Sequence, residues 1–314
     1  LSNLNRLGKR SLVFGLLTFS VPFGFGLLAG KILGLSLIAS CIIGLIFSPH
    51  VLIAYPTIIR LGLAQKEYIG VTVGATAITS VLTLVGFSIV QGGALGNLGP
   101  LFWLKILLGL PLLILISLWT VPKLGKPLIN ENQSDLKRSF TFILATLFVI
   151  SGLTTLLGVD AIVGAFVAGL VLNPLVPLNS QLMDRIEFVG NGIFIPCFMV
   201  SVGLLCNPRI FVSNPGIISV TLLIFALSFI GKAVPATLIS RVFSYSAIEG
   251  LTVFSLTMAR AALVVVIALF AQKFDLISSE IFNAAIAYIL LTCLTGTILT
   301  EWIAPKLASA EAVL

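Results

Sequence analysis

The sequence predicts an all-α, polytopic membrane helix bundle of about ten spans. Three observations lead there. First, 58% of the 314 residues are hydrophobic and only 9% are charged, whereas a soluble domain carries about 25% charged residues. Second, apolar runs long enough to cross a bilayer, about 20 residues each, recur along the whole chain. Third, the basic residues fall mostly between those runs. So little charge cannot cover a water-soluble globule, and no stretch is polar enough for a soluble domain beyond short loops.

The runs place spans at roughly 11–30, 35–62, 68–92, 99–121, 138–159, 161–178, 186–206, 214–240, 246–272 and 281–304. Each must be helical, because a hydrocarbon interior leaves backbone groups no partner outside the helix itself. Alternate connections differ sharply in charge. One side carries Arg6, Lys9, Arg10, Arg60, Lys66, Lys123, Lys126, Lys137, Arg138, Arg185, Arg241 and Lys306; the other carries Lys31, Arg209 and Lys273. Basic loops stay in the cytoplasm during insertion, so both termini of this segment are expected there. The longest polar connection, 123–138, reads as a cytoplasmic linker within one transmembrane domain covering 1–314. The polar opening "LSNLNRLGKR" without a start methionine reads as part of a longer protein.

The net charge of +7 lies in topology-setting loops and gives no reason to expect nucleic acid. Cys41, Cys197, Cys206 and Cys293 sit in or beside apolar runs without metal-type spacing, as buried small hydrophobes do. There are no paired acids, no nucleophile–base pair and no metal-ligand cluster, so neither an enzyme nor a cofactor is expected. The expected partner of the surface is the lipid bilayer.

Function-bearing chemistry lies deep in the spans, and none of it is acidic. Lys232, in "SFIGKAVPATLIS", and Arg260, in "VFSLTMARAALVVV", fall far from any span end. A basic group at the bilayer centre costs about 2.5–3.5 kcal/mol on insertion scales, so both are expected to face the bundle interior as charge-balancing groups. The second span, "GLIFSPHVLIAYPTIIRLG", holds Pro49 and Pro56. Proline removes an amide donor and clashes with the preceding turn, which places a break at Ser48, Pro49 and His50. A broken helix turns free carbonyls toward the bilayer centre, where they coordinate ions; a simple proline kink remains the alternative. His50, the only histidine, is suited to carry a proton near neutrality, or equally to pack as a hydrogen-bonded core residue. Ser255 and Thr257 cluster beside Arg260, with no Pro or Gly to mark a break. The shallower Asp160, Glu187 and Asn191, with Asn173 and Asn207, are candidate points along a pathway.

Five stretches, "SPHVLIAYPTIIRLG", "VTVGATAITS", "VDAIVGAFVAGLVLNPLVP", "RIEFVGNGIFIPCFMVSVGLL" and "SLTMARAALVVVIALFAQKFDL", together resemble the membrane domain of monovalent cation:proton antiporters. The branch resembled includes Kef-type and prokaryotic sodium/proton exchangers. The resemblance implies about thirteen helices in inverted repeats with two crossing discontinuous helices, here the second and ninth spans, and with the first few helices missing from this segment. It also implies exchange of Na⁺ or K⁺ for protons by alternating access, a prokaryotic plasma membrane and a homodimer. The third span resembles the helix bearing the ion-binding carboxylate, and the eighth the helix whose lysine, here Lys232, faces it. The cation site is then expected at Thr79 and Ser80, with Ser48 and His50 nearby. There is one departure. Relatives read like "VGGTIITDTLALL" where this chain reads "VGATAITSVLTLV", so Ser80 stands where the aspartate is expected, and a hydroxyl carries no charge to trade for a cation. The rival expectation is a non-exchanging relative: a membrane subunit, a sensor or a carrier of an anionic solute.

Overall fold

The computed structural model describes residues 2–96, 99–129, 136–177, 180–205, 209 and 216–312. Among them every regular element is helical. In chain order these are α1 (Ser2–Ile32), α2 (Leu37–Phe47), α3 (Tyr55–Arg60), α4 (Glu67–Ala94), α5 (Pro100–Gly125), α6 (Leu136–Leu156), α7 (Ala161–Leu172), α8 (Gln181–Val189), α9 (Ile195–Leu205), α10 (Gly216–Val242), α11 (Ala247–Leu256), α12 (Ala262–Lys273) and α13 (Ser279–Ala312). Six of them (α1, α4, α5, α6, α10 and α13) are long and apolar enough to cross a membrane. The other four expected spans correspond to shorter or interrupted helices. Lone apolar stripes such as Leu290, Leu294, Ile298 and Trp302 on α13 stay exposed, as a helix bathed in hydrocarbon requires. The described residues thus form the all-α, polytopic helix bundle of an integral membrane protein.

The breaks expected in the second and ninth spans are present, and several other boundaries differ from expectation. The second span is two half-helices, α2 and α3, parted at 48–54 as the prolines demand. The ninth is also interrupted, between Leu256 and Ala262, although its sequence carries no breaker. The seventh starts earlier, at Gln181, because Ser180 caps the amide of Met183, and it widens into a π-helical turn at Gly190–Phe194. The connection read as 123–138 is shorter, since α5 runs through Gly125 and α6 begins at Leu136.

Two compact units emerge, one formed by Leu1–Val90 with Cys206–Leu314, the other by Gln91–Leu205. In the second, α5, α6 and α7 pack on one another and α8 rests on α6, around Val121, Ile143, Ile150, Val167 and Val171.

The first unit is built from two copies of one motif, long helix, half-helix, half-helix, long helix: α1–α4 and α10–α13. The copies match at a constant offset. Gly34 (φ 70°) ends α1 in the left-handed conformation and Ser244 (φ 58°) ends α10 the same way. Leu35 N donates to Gly30 O as Tyr245 N does to Ser240 O, the wrap that closes a helix C-terminus. Ser36 then caps α2 as Ser246 caps α11. Even the tight contact repeats with partners exchanged: Gly30 lies against Ser40, and Ser240 lies against Gly250. The two copies run antiparallel. Arg10, early in α1, lies 4.5 Å from the ring of Phe243, just past the end of α10, and mid-helix Thr18 meets mid-helix Lys232. The inverted repeat that the resemblance implied is therefore present, and at its offset His50 and Arg260 are equivalent positions, as are Pro22 and Lys232.

Close backbone approach holds α1 to α2. A Cβ on Gly26 would land inside the van der Waals contact of the Gly44 backbone, whereas one on Gly24 would meet nothing. Gly26→Ala is expected to cost about 1–3 kcal/mol by overpacking. Gly24→Ala is expected to be neutral or to stabilise by up to about 1 kcal/mol, as alanine does in a helix. Paired thermal melts in detergent check this; equal melting of the two variants would contradict it.

Candidate ion site at the helix crossing

The two interruptions meet. The amide of Val51, in the first break, donates to Ala259 O in the second at 2.9 Å, and α2 packs on α12. Each break leaves helix-terminal carbonyls without an intrahelical donor, and each C-terminus carries the negative end of its helix dipole. Two cations answer these ends. Lys232, fully buried in the middle of α10, donates from Nζ to Ser48 O at 2.6 Å and to Thr18 O at 2.9 Å. Thr18 Oγ1 lies at 3.1 Å and His50 Nδ1 at 3.3 Å. Arg260, also fully buried, spans both breaks: Nη2 donates to Phe47 O at 2.9 Å and Nη1 to Met258 O. Its guanidinium lies 5.4 Å from the ring of Tyr288, whose hydroxyl is fixed by Ser228 at 2.6 Å. Carbonyl dipoles and an aromatic face thus take the place of a carboxylate partner.

The carbonyls are free for a sequence reason. Pro22 interrupts the amide ladder of α1, and the carbonyl four residues before a proline loses its donor; that carbonyl is Thr18. Ser48 precedes Pro49, where α2 cannot continue. Ser48 itself turns its hydroxyl to Gly44 O at 2.8 Å.

His50 links the crossing to α4. An ammonium has only donors, so Nδ1 accepts from Lys232. The hydrogen then sits on Nε2 and donates to Thr76 Oγ1 at 3.0 Å. Thr76 in turn donates to Thr72 O at 2.9 Å. The neutral Nε2–H tautomer satisfies the whole chain of bonds.

Of the expected site residues, Ser48, His50, Lys232 and Arg260 come together. Thr79 and Ser80 lie one turn along α4 from Thr76, and both hydroxyls bend back to Thr76 O at 2.9 Å; neither reaches Lys232. The pathway candidates Asp160, Glu187 and Asn191 belong to the other unit. Asp160 caps α7 by accepting from Ile162 N and lines a cavity of about 790 Å³ with Gln91, Lys105 and Thr155. Glu187 and Asn191 are exposed. Asn173 opens a short 3₁₀ turn, and Asn207 and Cys206 lie outside the described residues. Cys41, Cys197 and Cys293 are free thiols, and the Cys293 thiol donates to Arg260 O. Sequence reading missed Thr18, Thr76 and Tyr288. The signal for Thr18 was present, a threonine four residues before Pro22; Thr76 and Tyr288 had none.

This inverted pair of interrupted helices agrees with sequence comparison, in which the family described as sodium/hydrogen exchanger, transmembrane, matches residues 1–305. The chain belongs to the sodium/hydrogen exchanger family. It is 31% identical over 316 residues to the Na⁺/H⁺ antiporter NhaS5 of Synechocystis, covering 97% of this chain and 45% of that relative. It is 27% identical to the probable Na⁺/H⁺ antiporter 3 of Methanocaldococcus jannaschii, covering 92% and 74%. It is 23% identical to the Na⁺/H⁺ antiporter of Enterococcus hirae, covering 98% and 80%. The chain therefore spans less than half the length of the first of these relatives. Members of the family are transporters, not enzymes.

Proposed function

We propose that this chain is a transport domain that exchanges a monovalent cation, Na⁺ or K⁺, for protons by alternating access. The membrane is a prokaryotic plasma membrane, both ends of the segment face the cytoplasm, and the working form is a homodimer. The observation that carries the reading is the buried junction of two interrupted helices, with Lys232, Arg260 and His50 converging on it. Discontinuous helices of this kind place carbonyls and helix ends where ions are handled in secondary transporters. The names of the three relatives, all Na⁺/H⁺ antiporters, support Na⁺ and protons among these ions.

A second reading has a specific observation in its favour. No Asp or Glu appears among the buried polar residues described, and Ser80 replaces the aspartate of the resembled motif. A non-exchanging relative, serving as a membrane subunit, a sensor or a carrier of an anionic solute, fits that observation. Proteoliposome flux separates the two. With the full-length protein reconstituted and a pH gradient imposed, added Na⁺ or K⁺ is expected to dissipate the gradient. A gradient that decays no faster than in protein-free vesicles decides for the second reading.

A further inference from the structure

We propose that the acceptors around Lys232 form a monovalent-cation site that the chain fills with its own ammonium. The same site, once Lys232 leaves it, takes K⁺, NH₄⁺ or a small primary alkylammonium in preference to Na⁺.

Three features of the geometry lead to this. First, Nζ has four acceptors, Ser48 O, Thr18 O, Thr18 Oγ1 and His50 Nδ1, but an ammonium has only three N–H groups. More ligands than donors is the pattern of an ion's coordination shell rather than of a matched hydrogen-bond set. Second, the two carbonyls are orphaned by Pro22 in α1 and by the end of α2 before Pro49. They would be buried and unpaired without a cation, at a cost that native structures avoid. The chain's own prolines create the demand, and the lysine meets it. Third, the oxygens stand 2.6, 2.9 and 3.1 Å from Nζ, ordinary lengths for an ammonium donor. Ammonium and potassium are nearly equal in radius. Sodium is smaller and would need the oxygens drawn inward, yet both carbonyls are fixed by backbone.

Charge balance points the same way. Among the described residues no acid faces the cage; the charged or titratable groups near it are His50, Arg260 and, beyond Arg260, Tyr288 and Cys293. A cage of neutral dipoles holds one positive charge, whether on Lys232 or on a free ion. An ion crossing here competes with a tethered cation, which has to swing out first. The inference rests on the exchange reading for the identity of the passing ion, not for the existence of the cage.

Thermal melting of purified protein in detergent tests it, in potassium, ammonium, methylammonium, sodium and choline chloride at equal ionic strength. The parent protein is expected to melt alike in all five. Lys232→Ala is expected to melt about 5 °C or more lower in choline. It should regain at least half of that loss in potassium, ammonium or methylammonium, and less in sodium. Equal melting of Lys232→Ala in all five salts overturns the proposal. If the alanine variant does not purify, Lys232→Gln carries the same comparison, with a smaller expected recovery; equal melting again overturns it. Because the readout is not a flux, a parent that exchanges no ions leaves the cage standing. Exchange by the parent without salt-specific recovery of the variant sinks the cage alone.

Discussion

An Arg260→Met protein is expected to be less stable than its parent by at least about 2 kcal/mol. Two terms oppose each other. Removing a buried cation that has no carboxylate partner relieves desolvation, and replacing buried charges by apolar groups is sometimes stabilising. Against this, Phe47 O and Met258 O would lose the donors that Arg260 supplies, and each buried acceptor left unsatisfied costs about 1–3 kcal/mol. Methionine fills the volume but offers no donor. The second term wins because both carbonyls belong to helix breaks, outside the ladder that pairs carbonyls within a helix. The guanidinium also bonds to carbonyls of both breaks, so its loss weakens the crossing as well as two bonds. Arg260→Lys should fall between, since a single ammonium lacks the planar fork that reaches two carbonyls at once. Melting in detergent or nanodiscs reads the order parent, lysine, methionine; a methionine variant that melts at or above the parent would show that charge desolvation governs this position.

Ser80→Asp is expected to raise cation-dependent proton flux by about tenfold or more, equivalent to about 1.4 kcal/mol of barrier. The position is half-buried on α4, one turn from Thr76, which is hydrogen-bonded to His50. The serine hydroxyl donates to Thr76 O at 2.9 Å. An ionised carboxylate accepts only, so it cannot keep that bond and must turn toward a donor or a cation. Among the described residues the buried cations of the same unit are Lys232 and Arg260, and the carboxylate would give their positive field an anionic counterpart. It would also supply a group that a proton and a metal cation both seek, which the present donors and dipoles lack. Ser80→Asn keeps the size without the charge and should leave flux unchanged. The proteoliposome assay reads both. An aspartate variant indistinguishable from the asparagine one would favour the non-exchanging reading, because the rest of the machinery would then be unable to use a carboxylate.

The chemistry of the crossing was partly legible along the chain. Pro49 points to the first break, since an interior proline kinks or ends a helix; Pro22 leaves α1 continuous, so the residue alone does not decide between the two. Lys232 and Arg260 announce themselves by depth, because hydrocarbon tolerates a charge only where protein or water surrounds it. The second break was legible only through the family resemblance, not in its own residues. Its residues "TMARA" hold no breaker, and the interruption persists because distant groups occupy the freed backbone: Val51 N on Ala259 O, and the Cys293 thiol on Arg260 O. Thr79 matches the resembled motif and Ser80 stands at its aspartate position; in the fold both hydroxyls donate to Thr76 O, one turn back. Such back-bonding is the default for serine and threonine in helices.

By itself the sequence determined that this is a membrane-embedded helical chain, because 9% charged residues cannot solvate its surface and each apolar run must satisfy its own backbone. It also determined that deep cations and a proline break share the interior. Only the tertiary structure decided that the orphaned carbonyl of Thr18 and the ammonium of Lys232 belong together, and that Arg260 bonds to both breaks. Those pairings join residues some two hundred positions apart. Local sequence sets which donors and acceptors are left over, but which of them meet depends on how the helices pack.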